Sequence, residues 1–317
     1  MVAGGPVHLE CPTIRSFSHD DYGTERLLAA KGSTTVSVCL PARNEAATIQ
    51  QIVARLGEDV VGTGLAEELI VIDDHSTDDT ARRAATAGAT VVHAGDVLPE
   101  YGEGHGKGEV LWKSLYVSTG DLIVWCDADL ERFGSRFVTG VLGPLLCEPA
   151  VELVKGHYRR PELDGAGGGR VSELVARPLL SLLFPELARL HQPLSGEYGG
   201  TRSVLERLPF VEGYGVEIGL LIDYLRLRGT AGLAQVNLDV RWHRNRELAE
   251  LAPQAMAVMQ TILRRADRSL VPPVADLIGV DGSPVSVDVS ERPPMIEVAA
   301  YLHRTGRPEP GVAPPTG

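Results

Sequence analysis

The stretch "DLIVWCDADL" (residues 121–130) runs four apolar side chains and a cysteine into a pair of carboxylates, Asp127 and Asp129. A short apolar run rich in β-formers and bounded by polar residues reads as a buried strand. Residues i and i+2 of an extended segment project to the same side, so the two charges repel unless a cation sits between them or water screens them. Mg²⁺ or Mn²⁺ prefers hard oxygen ligands and binds one or two carboxylates together with substrate phosphates. A strand-end Asp-x-Asp therefore suits a metal-bound nucleotide diphosphate. The bland alternative is a solvated acidic turn, and the surroundings favour the first reading.

Upstream, "TTVSVCL" (34–40), "EELIVIDD" (67–74) and "ATVVHA" (89–94) are further buried strands. Between them lie helical patterns: "EAATIQQIVARL" (45–56), "STDDTARRAATAG" (76–88, with Ser76 or Thr77 as N-cap) and "KGEVLWKSLYVSTG" (107–120). Strand–helix alternation with short links predicts an α/β fold, a Rossmann-type mostly parallel sheet with helices on both faces. Ligands in such sheets bind beyond the carboxyl ends of the strands. Pro41–Glu45, Asp73–His75 and Asp127–Asp129 all fall there, which is stronger than any one motif.

The expected organisation is an irregular leader (1–33) with one short helix, a nucleotide-binding region (34–150), an acceptor-binding and catalytic region (151–266) and a Pro-rich arm or tail (267–317). The second region reads as a strand (151–160), an apolar helix (170–184), a strand and short helix (195–208), an amphipathic helix (214–229), a strand (232–244) and a long helix (247–266).

Composition excludes some classes. Net charge is −12, whereas a nucleic-acid binder shows a basic face. No run approaches the ~18–20 apolar residues of a membrane span, and the first residues lack a basic segment followed by an apolar one. The four cysteines form no Cys-x-x-Cys; Cys39 and Cys126 lie in strand-like runs and read as reduced core thiols. A cytosolic protein is expected.

Several residues then acquire candidate roles. Pro and small residues after the first strand let a flat base pack on Pro41 and Ala42, while Glu45 accepts from ribose hydroxyls; Asn44 as a helix N-cap is the plain alternative. Asp73 and Asp74 can accept from a base edge, and Asp78 and Asp79 suit a helix first turn. Lys107 follows "GEGHG" (102–106) but fails the Walker A spacing, because Tyr101 stands at the first glycine and Gly108 at the Ser/Thr. A lysine at a helix start still suits a diphosphate. The glycines before Arg170 make a phosphate or carboxylate seat, or a surface loop, with Ser172 adding a hydroxyl. His243, between Arg241 and Asn245, can supply a nitrogen ligand to the metal.

"LPARNEAATI" (40–49), "DDHSTDDT" (73–80) and "CDADL" (126–130) resemble the nucleotide-sugar half of GT-A glycosyltransferases. "GGGRVSELVARPLL" (167–180), "QPLSGEY" (192–198), "GYGVEIGLLID" (213–223) and "VNLDVRWHRNR" (236–246) resemble the glucosyl- and mannosyl-3-phosphoglycerate synthases. The resemblance spans roughly residues 34–266. It implies a GT-A-like fold, transfer with retention and a Mg²⁺ or Mn²⁺ cofactor. By motif, Pro41, Ala42, Glu45, Asp74, Lys107 and Asp127 would line the nucleotide, and Asp129 and His243 would ligate the metal. Glu217, Leu194 and Arg241 would face the hexose. Gly169, Arg170, Ser172 and Asn245 would hold 3-phosphoglycerate. The resemblance also implies a homodimer.

The donor expected from Asp74 is GDP-mannose. Resembling glucosyl members carry serine there, and guanine offers adjacent N–H donors that a carboxylate accepts bidentately, whereas uracil offers one. The alternative is UDP-glucose, and a different class of alternative is a nucleotide-sugar-binding protein without turnover.

Overall fold

The computed structural model describes residues 14–102, 104, 106–160, 169–242, 248–266, 277–278, 284–285 and 288–307. In chain order its strands are β1 (Arg15–Ser18), β2 (Val36–Ala42), β3 (Glu68–Asp73), β4 (Thr90–His93), β5 (Leu122–Trp125), β6 (Leu153–Arg159), β7 (Tyr198–Thr201), β8 (Phe210–Val211), β9 (Leu233–Val240), β10 (Leu277–Ile278), β11 (Pro284–Val285) and β12 (Glu291–Arg292). Its α-helices are α1 (Thr24–Lys31), α2 (Ile49–Leu56), α3 (Thr80–Thr86), α4 (Lys107–Val117), α5 (Arg136–Cys147), α6 (Arg177–Leu183), α7 (Arg202–Leu205), α8 (Val216–Arg228), α9 (Leu248–Arg265) and α10 (Ala299–Thr305).

Eight strands form one sheet in the order β1-β9-β6-β7-β5-β2-β3-β4. All its pairings are parallel except those of β7, which runs antiparallel to β5 and β6. That single reversal matters. The carboxyl ends of β2, β3, β5, β6 and β9 and the amino end of β7 all arrive at one edge. Side chains alternate between two cores, as period-2 geometry requires: Ile123 and Trp125 join one with Trp112, Phe210 and Ile218, while Leu122 and Val124 join the other with Ile52, Phe137 and Leu142.

Several expectations need correction. The leader is not irregular from Arg15 onward: β1 is the sheet's edge strand, paired with Ala234–Asn237, and Ile14, Tyr22 and Leu27 are buried. The helix read over 76–88 begins at Thr80, because Ser76–Asp78 are used elsewhere: Ser76 Oγ accepts from Asn44 N (2.9 Å), and Asp78 Oδ2 from Ala46 N (3.2 Å). Asn44, at φ 58°, is not an N-cap; its Oδ1 accepts from Thr77 N at 2.8 Å, and α2 begins at Ile49. The helix α8 is not amphipathic, since Val216–Ile222 are all buried.

The tail also departs from an extended arm over residues 288–307. β12 pairs with β8, and Met295, Val298, Tyr301 and Leu302 enter the core. Arg292 binds Glu109 (Nε–Oε2 2.7 Å), a fully buried acid in the first turn of α4 that also pairs with buried Lys113 at 2.9 Å. Pro293 O accepts from Trp112 Nε1 at 2.9 Å. The C-terminal segment thus clamps the helix that begins with Lys107. Truncating Arg292 to Ala strips a buried carboxylate of one donor, which costs about 1–3 kcal/mol. A lowered urea midpoint is the expected result; an unchanged midpoint would show that the clamp carries no stability.

Candidate active site

Four loops build the cleft at this edge. After β2, the Pro41–Glu45 turn is tied to the loop after β3 by Asn44, with Glu45 N donating to Thr80 Oγ1 at 2.8 Å. Asp74, at the end of β3, is buried; its Oδ2 accepts from Gly106 N at 3.2 Å, and its Oδ1 lies 3.0 Å from His75 Nδ1. Lys107 opens α4, and Asp127 and Asp129 follow β5. A cleft of about 350 Å³ is lined by Pro41, Ala42, Glu45, Asp74, Lys107, Asp127 and Asp129. Arg43, Gly106, Val110, Ala128 and Tyr214 complete it. The sequence reading gave these five no role. Tyr214 is an aromatic left 45% exposed.

Beneath the cleft lies a charge network. Asp127 Oδ1 meets Lys107 Nζ at 2.5 Å, and Lys107 also reaches Glu217 Oε1 at 2.9 Å. Arg241, which follows β9, bonds Asp127 Oδ2 (2.9 Å) and Asp129 Oδ1 (2.8 Å) through Nη2. Its Nη1 donates to the Tyr158 hydroxyl at 2.6 Å and lies 3.1 Å from Glu197 Oε1. The charge of the paired aspartates is therefore offset within the protein by Lys107 and by a guanidinium that is 4% exposed. Burial opposes ionisation of Asp127, but Lys107 and Arg241 outweigh it and hold the carboxyl below the usual range. At Glu197 burial wins despite Arg241, and its pKa is raised.

The predicted residues separate by position. Glu217 and Arg241 join the cleft through ion pairs from below. Leu194 is half-buried against the core that holds Trp125, and does not line the cleft. Gly169, Arg170 and Ser172 sit at the start of the helical segment leading into α6, with Ser172 buried, and are also not among its lining. His243 and Asn245 lie outside the described residues.

The donor set fits a hard divalent ion. Asp129 spends one oxygen on Arg241, and its side chain is 41% exposed, leaving Oδ2 for a ligand. Among the described residues no three His, Cys, Asp or Glu form a metal cage. An ion held by few carboxylates and by substrate phosphates matches Mg²⁺ or Mn²⁺.

A strand-end Asp-x-Asp and a lysine facing one cleft, on this sheet, define a metal-dependent hexosyltransferase, and comparison with known proteins agrees. The model of glycosyl transferase family 2 matches residues 37–151. A glucosyl-3-phosphoglycerate synthase of Mycolicibacterium smegmatis is 50% identical over 295 residues, covering 89% of this chain and 96% of its own. The crystal structure of glucosyl-3-phosphoglycerate synthase from Mycobacterium tuberculosis in complex with Mn²⁺, UDP-glucose and phosphoglyceric acid aligns with a TM-score of 0.81 at 45% identity, over 89% of this chain and 98% of that one. Mannosyl-3-phosphoglycerate synthase from Rubrobacter xylanophilus aligns at 0.83 with 37% identity, over 90% and 97%. The chain belongs to the glucosyl- and mannosyl-3-phosphoglycerate synthase family, with a GT-A-like fold.

These findings overturn the GDP-mannose expectation, because the relatives sharing 45–50% identity are glucosyl enzymes, one of them seen with UDP-glucose. The geometry supplies the reason the Asp74 argument fails. Both Asp74 oxygens already face protein groups, Gly106 N and the His75 ring, which compete for the carboxylate that a bidentate guanine contact would use.

Replacing Arg241 by Met would leave Asp127, Asp129 and fully buried Glu197 facing one another. Removing one partner from a buried ion pair costs about 3–5 kcal/mol. The deficit shrinks as pH falls, since a raised carboxyl pKa favours the folded state where Glu197 is protonated. Urea titrations at two pH values check both size and sign.

Proposed function

We propose that this enzyme transfers glucose from UDP-glucose to the 2-hydroxyl of 3-phosphoglycerate. The observation that carries the reading is the meeting, in one cleft, of the open Asp129 carboxylate with the Lys107 ammonium. The donor is inferred from the glucosyl relatives.

The roles are those that the family motifs imply, and the cleft lining supports those of Pro41, Ala42, Glu45, Lys107 and Asp129. Pro41 and Ala42 offer a flat wall to the uracil and Glu45 takes the ribose. Lys107, at the start of α4, adds its charge to the helix dipole where the diphosphate lies, and Glu217 and Asp127 keep that ammonium charged and aimed. Asp129, with His243, would hold the metal, which supplies Lewis-acid charge against the departing diphosphate. Glu217 and Arg241, which reach the cleft from below, would face the hexose, as would Leu194, which the family motif assigns there although it packs beside the core. Gly169, Arg170, Ser172 and Asn245 seat the acceptor's carboxylate and phosphate. No side-chain nucleophile is needed. The acceptor oxygen bonds to the anomeric carbon as the bond to the β-phosphate breaks, and the hydroxyl proton passes to the leaving phosphate on the same face, giving retention.

The enzyme is read as a cytosolic homodimer. Among the described residues no helix is long and apolar enough to cross a membrane. Leu174 and Leu182, 74% and 77% exposed on one helical segment, offer apolar surface to a second copy.

A donor panel with Mn²⁺ and 3-phosphoglycerate tests the reading: at least tenfold preference for UDP-glucose over GDP-mannose is expected, and equal or inverted rates would refute the donor. Asp129→Ala should lose about a hundredfold or more in kcat, the scale of one transition-state charge contact, while its urea midpoint stays near that of the parent. Normal turnover in that variant would sink the site. Arg170→Ala should raise the KM for 3-phosphoglycerate and leave that for UDP-glucose unchanged.

A further inference from the structure

We propose that Lys155 is a positioning residue for the donor site: its side chain holds the Ser195–Gly196 segment against Asp127 and so fixes the carboxylate that Lys107 and Arg241 share. The proposal rests on the donor reading above.

Lys155 lies on β6, is 2% exposed and, among the described residues, makes no ion pair. Its Nζ donates to Ser195 O at 2.6 Å and stands 3.8 Å above the Tyr198 ring. A buried ammonium with one carbonyl and an aromatic face is an expensive way to fasten a loop, which points to a task that an apolar residue would not perform. The segment it fastens is gripped on both sides. Gly156 N donates to Glu197 O at 2.8 Å, and Lys155 itself pairs with Tyr198 in the β6–β7 register. Between these anchors sits Gly196, where an added Cβ would fall 2.0 Å from Asp127 Oδ2 and 2.3 Å from Oδ1. The backbone there is the floor on which the carboxylate rests, and a small shift of Ser195 moves it.

The charges around Lys155 come from several packed elements: Glu217 from α8, Lys107 from α4, Glu197 just before β7 and Asp127 after β5. Burial lowers the lysine pKa to about 7; Lys107 acts in the same direction and the carboxylates oppose it. As pH rises through that value the ammonium becomes an amine, a weaker donor to Ser195 O.

Three variants decide the matter, each assayed for kcat/KM with UDP-glucose, for UDP affinity in Mn²⁺ by calorimetry, and for its pH profile. Lys155→Met should lose at least tenfold in kcat/KM and in UDP affinity. The kcat/KM of the parent should fall above about pH 7, and Lys155→Arg should keep most of the activity but lose that fall, a change that a merely structural lysine would not produce. Gly196→Ala should reproduce the tenfold loss with Lys155 in place; it and Lys155→Arg carry the test should Lys155→Met not fold. Parent-like kcat/KM and UDP affinity in Lys155→Met or Gly196→Ala, or survival of the high-pH fall in Lys155→Arg, would overturn the proposal. If the parent binds UDP but transfers no glucose, the donor reading falls while the UDP affinities still answer for Lys155.

Discussion

Everything at the carboxyl edge of the sheet depends on the guanidinium of Arg241. Three carboxylates from two chain segments, Asp127 and Asp129 after β5 and Glu197 before β7, converge on it. Glu197 and Asp127 could not be buried there alone, since an uncompensated charge away from water is far more costly than a paired one. A lysine could not replace it, because the contacts fan out in a plane from two nitrogens, which is the geometry of the guanidinium fork. The arrangement also explains how an apolar strand can end in two acids. The repulsion is eased from below by protein, leaving Asp129 partly exposed at the cleft.

The reversal of β7 is what makes this convergence possible. In a fully parallel sheet the residues before a strand lie at the far edge, away from the cleft. Because β7 runs antiparallel between β5 and β6, Ser195–Glu197 arrive beside Asp127 instead. Glycine at 196 then lets backbone, rather than a side chain, pack against the carboxylate.

Much of the cleft lining was legible in the sequence because it is made locally. Each of Pro41–Glu45, Asp74 and Asp127–Asp129 follows a strand with clear apolar punctuation, and the rule that ligands gather at strand ends did the rest. What stayed hidden depends on partners distant in sequence. Glu197 lies 44 positions from Arg241, and no periodicity links them. α5 is disguised by Gly140, Gly143 and Pro144, yet those glycines are what allow it to close on Leu238 and Tyr22. The tail looked like a linker because its prolines dominate the pattern, while the residues that dock it, Arg292 and Tyr301, are single side chains with no local signature. The Asp74 argument treated a carboxylate as free when the fold had already engaged it.

The clamp of Arg292 on Glu109 also sets an order of events when the chain is made. The two residues are 183 positions apart. The helix that begins with the donor-facing lysine therefore leaves the ribosome long before the arginine that completes its first turn. Until then Glu109 has only Lys113 for company, and the face of Trp112 that donates to Pro293 is bare. A nascent chain of this enzyme thus carries an incompletely braced α4 until Arg292 has emerged.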